Sequence, residues 1–135
     1  MNRLSTWMVL SAFAVGAAFT STEAQQTEPS AKVYRQTAAG WLEREVYRSP
    51  GDGKVPVELA DVLLGAGRAA LVKQMPTGAL LDVKAGAAVV TVDEKPQRIV
   101  PGVVIRIDQG QALSIDNRKG ERAFVARLIR IASPR

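Results

Sequence analysis

The chain has 135 residues, 47% hydrophobic and 23% charged, and its 18 basic against 13 acidic side chains give a formal net charge of +5. That is the size and balance of one globular domain with one core. It contains neither histidine nor cysteine, which excludes disulfides, thiolate nucleophiles and thiolate metal sites, and removes the commonest general base and the commonest transition-metal ligand. The basic residues are scattered rather than gathered into a stripe, and Tyr34, Trp41 and Tyr47 are the only aromatic residues between residue 30 and Phe124. No nucleic-acid partner is expected from such a surface. The carboxylates are dispersed too, which argues against a calcium or magnesium site.

Residues 1–24 have the three parts of a secretory signal peptide: a positive charge at Arg3, an uncharged apolar run over 6–20, and small residues placed for a cut after Ala24. The run is short for a membrane span, so the mature protein is expected to be periplasmic or secreted and not to cross a membrane. Residues 25–32, QQTEPSAK, are polar with one proline and read as a flexible leader. The domain proper is assigned to residues 33–135.

Within the domain nearly every segment reads as strand. Residues 33–37 suit a short edge strand, and 41–47 fit either a strand or a helical turn. Residues 49–54, SPGDGK, are turn chemistry. Strands are expected over 55–64, 69–75, 79–84, 87–92, 103–107, 112–116 and 123–131, with 93–96 (DEKP) as a turn. Alternation supports this reading. Leu81 and Val83 oppose Asp82 and Lys84, and Leu113 and Ile115 oppose Ser114 and Asp116. In the last strand Phe124, Ala126 and Leu128 share one face while Val125, Arg127, Ile129 and Ile131 share the other. Regularly spaced strands with glycine at the corners predict an all-β sandwich or barrel.

Two glycine-framed stretches carry a specific spacing. The first places Gly67, Lys73, Met75, Ala79 and Gly86; the second places Gly102, Asp108, Gly110, Leu113 and Asn117. These intervals match both hairpin motifs of the cupin family, which the chain resembles over about residues 33–131 as a small single-domain member. The resemblance implies an antiparallel jelly-roll β-barrel. Gly67, Gly86, Gly102 and Gly110 fall at corners that want positive φ or a close backbone approach. Asn117 suits a left-handed turn closed by its own side chain.

In the family, two histidines, a glutamate and a third histidine point into the barrel and hold a transition metal. Here those four slots are Lys73, Met75, Ala79 and Leu113. Alanine and leucine cannot ligate, an ammonium repels a cation, and one thioether is not a site. The frame is therefore read as kept for the barrel and the metal chemistry as dropped: no metal, no cofactor, and no metal-dependent oxygenase or oxalate-type activity are expected.

The resemblance places Lys73 in an apolar lumen formed by Met75, Ala79, Leu81, Val83, Leu113 and Ile115, which suits a small apolar or weakly anionic ligand. Against that stands a filled core with Lys73 snorkelling to the rim. Asp108 is read as a solvated turn residue, and Asp82 and Glu58 are not assigned to the interior. The resemblance also implies a homodimer, with Trp41 either anchoring the neighbouring subunit or packing on its own barrel. The leading functional expectation is an exported, metal-free binding or accessory protein, its partner a small ligand or another exported protein. The alternatives are a metal-independent isomerase or lyase using Lys73 as cation or base, and a structural or assembly protein with a filled barrel.

Overall fold

A computed structural model of the chain describes residues 33–50, 52 and 55–131. The expected signal peptide and leader, and residues 132–135, lie outside the described residues. Ten strands follow one another: β1 (Arg35–Gln36), β2 (Leu42–Arg48), β3 (Val57–Leu64), β4 (Ala69–Val72), β5 (Gly78–Ala85), β6 (Ala88–Val92), β7 (Lys95–Ile99), β8 (Val104–Ile107), β9 (Leu113–Asp116) and β10 (Phe124–Ile131). They form a six-stranded sheet in the order β1-β2-β3-β10-β5-β8 and a four-stranded sheet in the order β4-β9-β6-β7. Every pairing is antiparallel. The all-β expectation holds, and 41–47 resolves as a strand, not a helical turn.

The core lies between the sheets and follows from period-two alternation. Ala60, Val62 and Leu64 of β3, Leu81 and Val83 of β5, and Phe124, Ala126 and Leu128 of β10 all turn inward and are buried. From the smaller sheet Ala70, Val90, Leu113 and Ile115 meet them. Trp41 is 2% exposed within this single chain and belongs to the same cluster. Its ring is consumed by its own barrel, which leaves it no face with which to anchor a neighbouring subunit.

One strand was not anticipated. Residues 93–96 were expected to form a turn, but only Asp93 and Glu94 do so, both at positive φ (45° and 65°). That is the conformation a two-residue hairpin loop requires. Lys95 and Pro96 already belong to β7, paired with Val92 and Thr91. Proline is tolerated because β7 is the edge of its sheet, where a missing N–H disrupts no ladder. Four of its five residues are exposed, so the strand carries no apolar pattern to betray it.

The spacing of the two glycine-framed motifs now has a physical cause: they are zipped to each other. β4 and β9 pair from Ala69↔Asp116 to Val72↔Leu113. Beyond one end, the Met75 N–H donates to Gln111 O and the Gly110 N–H to Met75 O; beyond the other, the Gly67 N–H donates to Asn117 O and the Asn117 N–H to Arg68 O. An insertion between Gly67 and Met75, or between Gly110 and Asn117, would put the two sides of the zipper out of register. Gly67, Gly86, Gly102 and Gly110 all have positive φ, as expected. At Gly86 a Cβ would also collide with the Ala123 carbonyl.

Asn117 earns its place differently from the expectation. It is not among the positive-φ residues. The residue is 1% exposed, and the two hydrogens of Nδ2 are shared among the carbonyls of Leu64 (3.3 Å), Gly65 (3.1 Å) and Arg122 (2.9 Å), the longer pair at adjacent Leu64 and Gly65. One amide thus ties the ends of β3 and of the β9–β10 loop together, supplying donors to carbonyls that burial would otherwise leave unpaired.

Candidate functional site

The six apolar residues of the expected lumen are brought together. Met75, Ala79, Leu81, Val83, Leu113 and Ile115 are each 5% exposed or less and lie in one core cluster. In register, Ala79 stands beside Ile107, Leu81 between Ile105 and Leu128, and Leu113 between Val72 and Val92. Neighbours of this size fill the space between the sheets, in keeping with the density of protein interiors.

Lys73 is not with them. It is exposed and borders a shallow outer depression with Leu71, Ser114 and Arg118. The expected ammonium inside the barrel is therefore corrected. The reason lies in the backbone. In β4, Ala70 and Val72 face inward, so alternation turns Lys73 outward. Bends at Lys73 and Gln74 then break the period, and Met75 turns in again. The motif's i, i+2 pair does not share a face here, and an unpaired ammonium in an apolar core would be expensive.

The inward charges come from residues the sequence reading did not select. Arg130, on the same face of β10 as Leu128, is level with Glu58 of β3 and Ala79 of β5. Its guanidinium donates to both oxygens of Glu43 (2.7 and 2.9 Å) and to Glu58 Oε1 (2.9 Å). The Trp41 indole N–H donates to the same Glu43 carboxylate at 3.1 Å, and Arg48 adds a second ion pair to Glu58 at 3.5 Å. Burial alone would raise the Glu43 pKa; the hydrogen bonds and charge of Arg130, with the indole, outweigh it and hold the carboxyl below its ordinary range. Burial likewise opposes the Arg130 cation, and Glu43 and Glu58 more than restore it. The signal was present in the parity of the strands. Arg130 continues the Phe124–Ala126–Leu128 face, and Glu58 the Ala60–Val62–Leu64 face.

A second ionic cluster lies on the outer side of the same sheet. Asp61 accepts from Arg44 Nη2 (2.7 Å) and Arg127 Nε (3.0 Å). Burial raises the Asp61 pKa, but the two guanidinium groups overcome this and leave it lowered. Asp108 is exposed and accepts from Arg106 Nε at 2.7 Å, the solvated turn role expected. Asp93 does more than turn the chain: its carboxylate accepts from Gln111 Nε2 and from the Ala112 N–H, fastening the β6–β7 hairpin to the second motif.

At the Gly86 end of the barrel a depression of about 510 Å³ is bordered by Arg98, Lys119, Arg122 and Glu121. No group of three or more His, Cys, Asp or Glu residues arranged to hold a metal ion occurs among the described residues. Each inward carboxylate seen here is engaged by arginine.

Comparison with solved structures agrees with this geometry. The chain is similar to the cupin domain of Cnp3 from Schizosaccharomyces pombe, with a TM-score of 0.62 and 15% identity over 76% of this chain and 70% of that one. It is similar to a cupin 2 conserved barrel domain protein from Salinispora arenicola, with a TM-score of 0.61 and 12% identity over 75% and 82%. It is also similar to the polyketide cyclase RemF from Streptomyces resistomycificus, with a TM-score of 0.60 and 10% identity over 76% and 75%. No protein-family model and no curated protein matches the sequence. The fold is that of a small cupin barrel. At these identities the likeness shows the fold alone, and the fold hosts both enzymes and non-enzymes.

Proposed function

We propose that this chain is a non-catalytic cupin barrel, exported under the direction of residues 1–24, that acts as a binding or accessory protein through its outer surface. One observation carries the reading: the positions that would line a ligand chamber are filled core, each 5% exposed or less. Of the two ligand chemistries expected, the apolar one loses its support with the chamber. The anionic one keeps some, because Arg98, Lys119 and Arg122 border one depression. The isomerase or lyase alternative loses support too, since Lys73 lies outside any enclosed apolar pocket that would bring a substrate to it.

Substituting Ala79→Leu tests the filled interior. Ala79 turns inward beside Ile107 and Arg130. Overpacking a full core should destabilise the protein by about 1–3 kcal/mol, read as a lower urea midpoint with unchanged slope. A neutral or stabilising effect would mean that the barrel holds an unfilled chamber, and the ligand-lumen reading would replace this one.

A further inference from the structure

Several arginines of this chain are matched by a carboxylate within it: Arg44 and Arg127 by Asp61, Arg106 by Asp108, Arg118 by Asp116, Arg130 by Glu43. Arg98, Lys119 and Arg122 are not, and none of the three has an ion-pair partner among the described residues. Yet they converge on the depression at the Gly86 end of the barrel. Glu121 is the single carboxylate on its border, so the border carries a surplus of two positive charges. A smaller recess continues from it past Ala87, Arg98, Lys119 and Gly120. Asp116 lies there, but Arg118 already holds it at 2.6 Å. A cleft lined by one sign of charge focuses its field and concentrates ions of the other sign.

The backbone that presents these cations is fixed. Arg98 comes from β7, paired with Val89. Lys119 and Arg122 come from the β9–β10 loop, where the Gly120 N–H donates to Asn117 O at 3.0 Å and the buried Asn117 amide donates to Arg122 O at 2.9 Å. A side chain at position 120 would strike Asn117 Oδ1, so the loop closes in this way only with glycine. Less remains to be ordered when a ligand arrives.

We propose that this depression binds the dianionic headgroup of a phosphate monoester. Two guanidinium groups suit phosphate, whose oxygens accept their N–H donors in pairs, and a lysine adds a point charge. A phosphate monoester carries close to two negative charges at neutral pH, which matches the surplus; a lone carboxylate would leave half of it unanswered. The depression, about 510 Å³, has room for more than the headgroup, and Ala87 and Pro101 offer a small apolar wall to the organic part. The site is separate from the family's metal slots. The β4–β9 zipper runs from Gly67 and Asn117 at this end to Met75 and Gly110 at the other. The proposal deepens the anionic part of the functional reading above and rests on it. Ala79→Leu reports on the interior and the titrations below report on the depression, so either can fail alone.

Phenyl phosphate titrated into the wild-type protein in a calorimeter should show single-site saturation, and phenol should not bind. Arg98→Gln and Arg122→Gln should each weaken binding by about tenfold, with circular dichroism unchanged. Lys73→Gln removes an exposed cation outside the depression and should leave binding as in the wild type. Inorganic phosphate should bind more weakly than the ester. Vesicles containing phosphatidic acid, whose headgroup is a phosphate monoester, separate the sources: vesicle binding that falls in the same two variants assigns the site to a lipid headgroup, and binding of phenyl phosphate alone assigns it to a soluble ester. Absence of saturable binding to either would overturn the proposal. So would equal weakening by Lys73→Gln, which would show a response to net charge alone, or equal affinity for inorganic phosphate, which would remove the ester.

Discussion

Two ionic clusters sit back to back on one sheet, built from residues one to three apart in the chain. Arg130 with Glu43 and Glu58 faces inward; Arg127 with Asp61 and Arg44 faces outward. The inner cluster shares one central cation, Arg130, between two carboxylates, with the more exposed Arg48 a longer second partner of Glu58; the outer shares one carboxylate between two cations. In the inner cluster the shared partner is the arginine, 21% exposed by side chain. In the outer one the shared partner is Asp61, whose arginines remain 37% and 42% exposed. Neighbouring positions on a strand thus make opposite commitments. The inner cluster shields its shared arginine, whereas the outer leaves both of its arginines partly exposed.

The largest effect that would break this contrast is at Arg130. Arg130→Met leaves Glu43 and Glu58 partly buried without their main cation, and the expected loss is about 3 kcal/mol, read from urea denaturation. Arg127→Met should cost less than about 1 kcal/mol, because Asp61 retains Arg44. Equal losses would mean that the two clusters are equivalent and that burial is not what separates them.

Acid titration sharpens the comparison further. Glu43 and Asp61 both have pKa values lowered in the folded state. Their stabilisation is complete above the ordinary carboxylate range and is lost as pH falls through the folded values. The urea midpoint should therefore drop as pH falls below about 4. In Arg130→Met the drop should be smaller, since burial without its counter-charge raises the Glu43 carboxyl and its share changes sign. An unchanged pH profile in that variant would remove Arg130 as the cause of the Glu43 shift.

The smallest effect expected is at Lys73. It lies outside both clusters and outside the core, so Lys73→Met should shift stability by no more than about 0.5 kcal/mol. A larger change in either direction would show that the amine is engaged with something that its exposed position does not reveal.

Much of the fold was legible because its signals are local. Alternation along 79–84 and 112–116 revealed the strands, and the corner glycines revealed the turns. β7 was not legible, since an exposed edge strand containing Pro96 has neither an apolar face nor a need for one. The candidate site was legible only in its apolar members. Met75, Ala79, Leu81, Val83, Leu113 and Ile115 do converge, but Lys73 was assigned inward by a motif whose i, i+2 geometry the bend at Lys73–Gln74 interrupts. Arg130 and Glu58 could have been reached by extending the parity of their strands. Their charge argued against it, because an inward charge makes sense only once its partner is known.

The sequence by itself determined an antiparallel barrel, its corners, and the absence of the nitrogen and thiolate ligands that a metal-binding relative would use. These are properties of residue type and short spacing, fixed by backbone sterics and by which side chains can coordinate. Only the tertiary structure decided that the interior is full and that Trp41 belongs to its own core. It alone brought Arg130 to Glu43 across 87 residues and Arg127 to Asp61 across 66. Whether a strand's charged residue is buried and paired or exposed and available depends on which strand lies beside it, and strand order is not written in the period of any one segment.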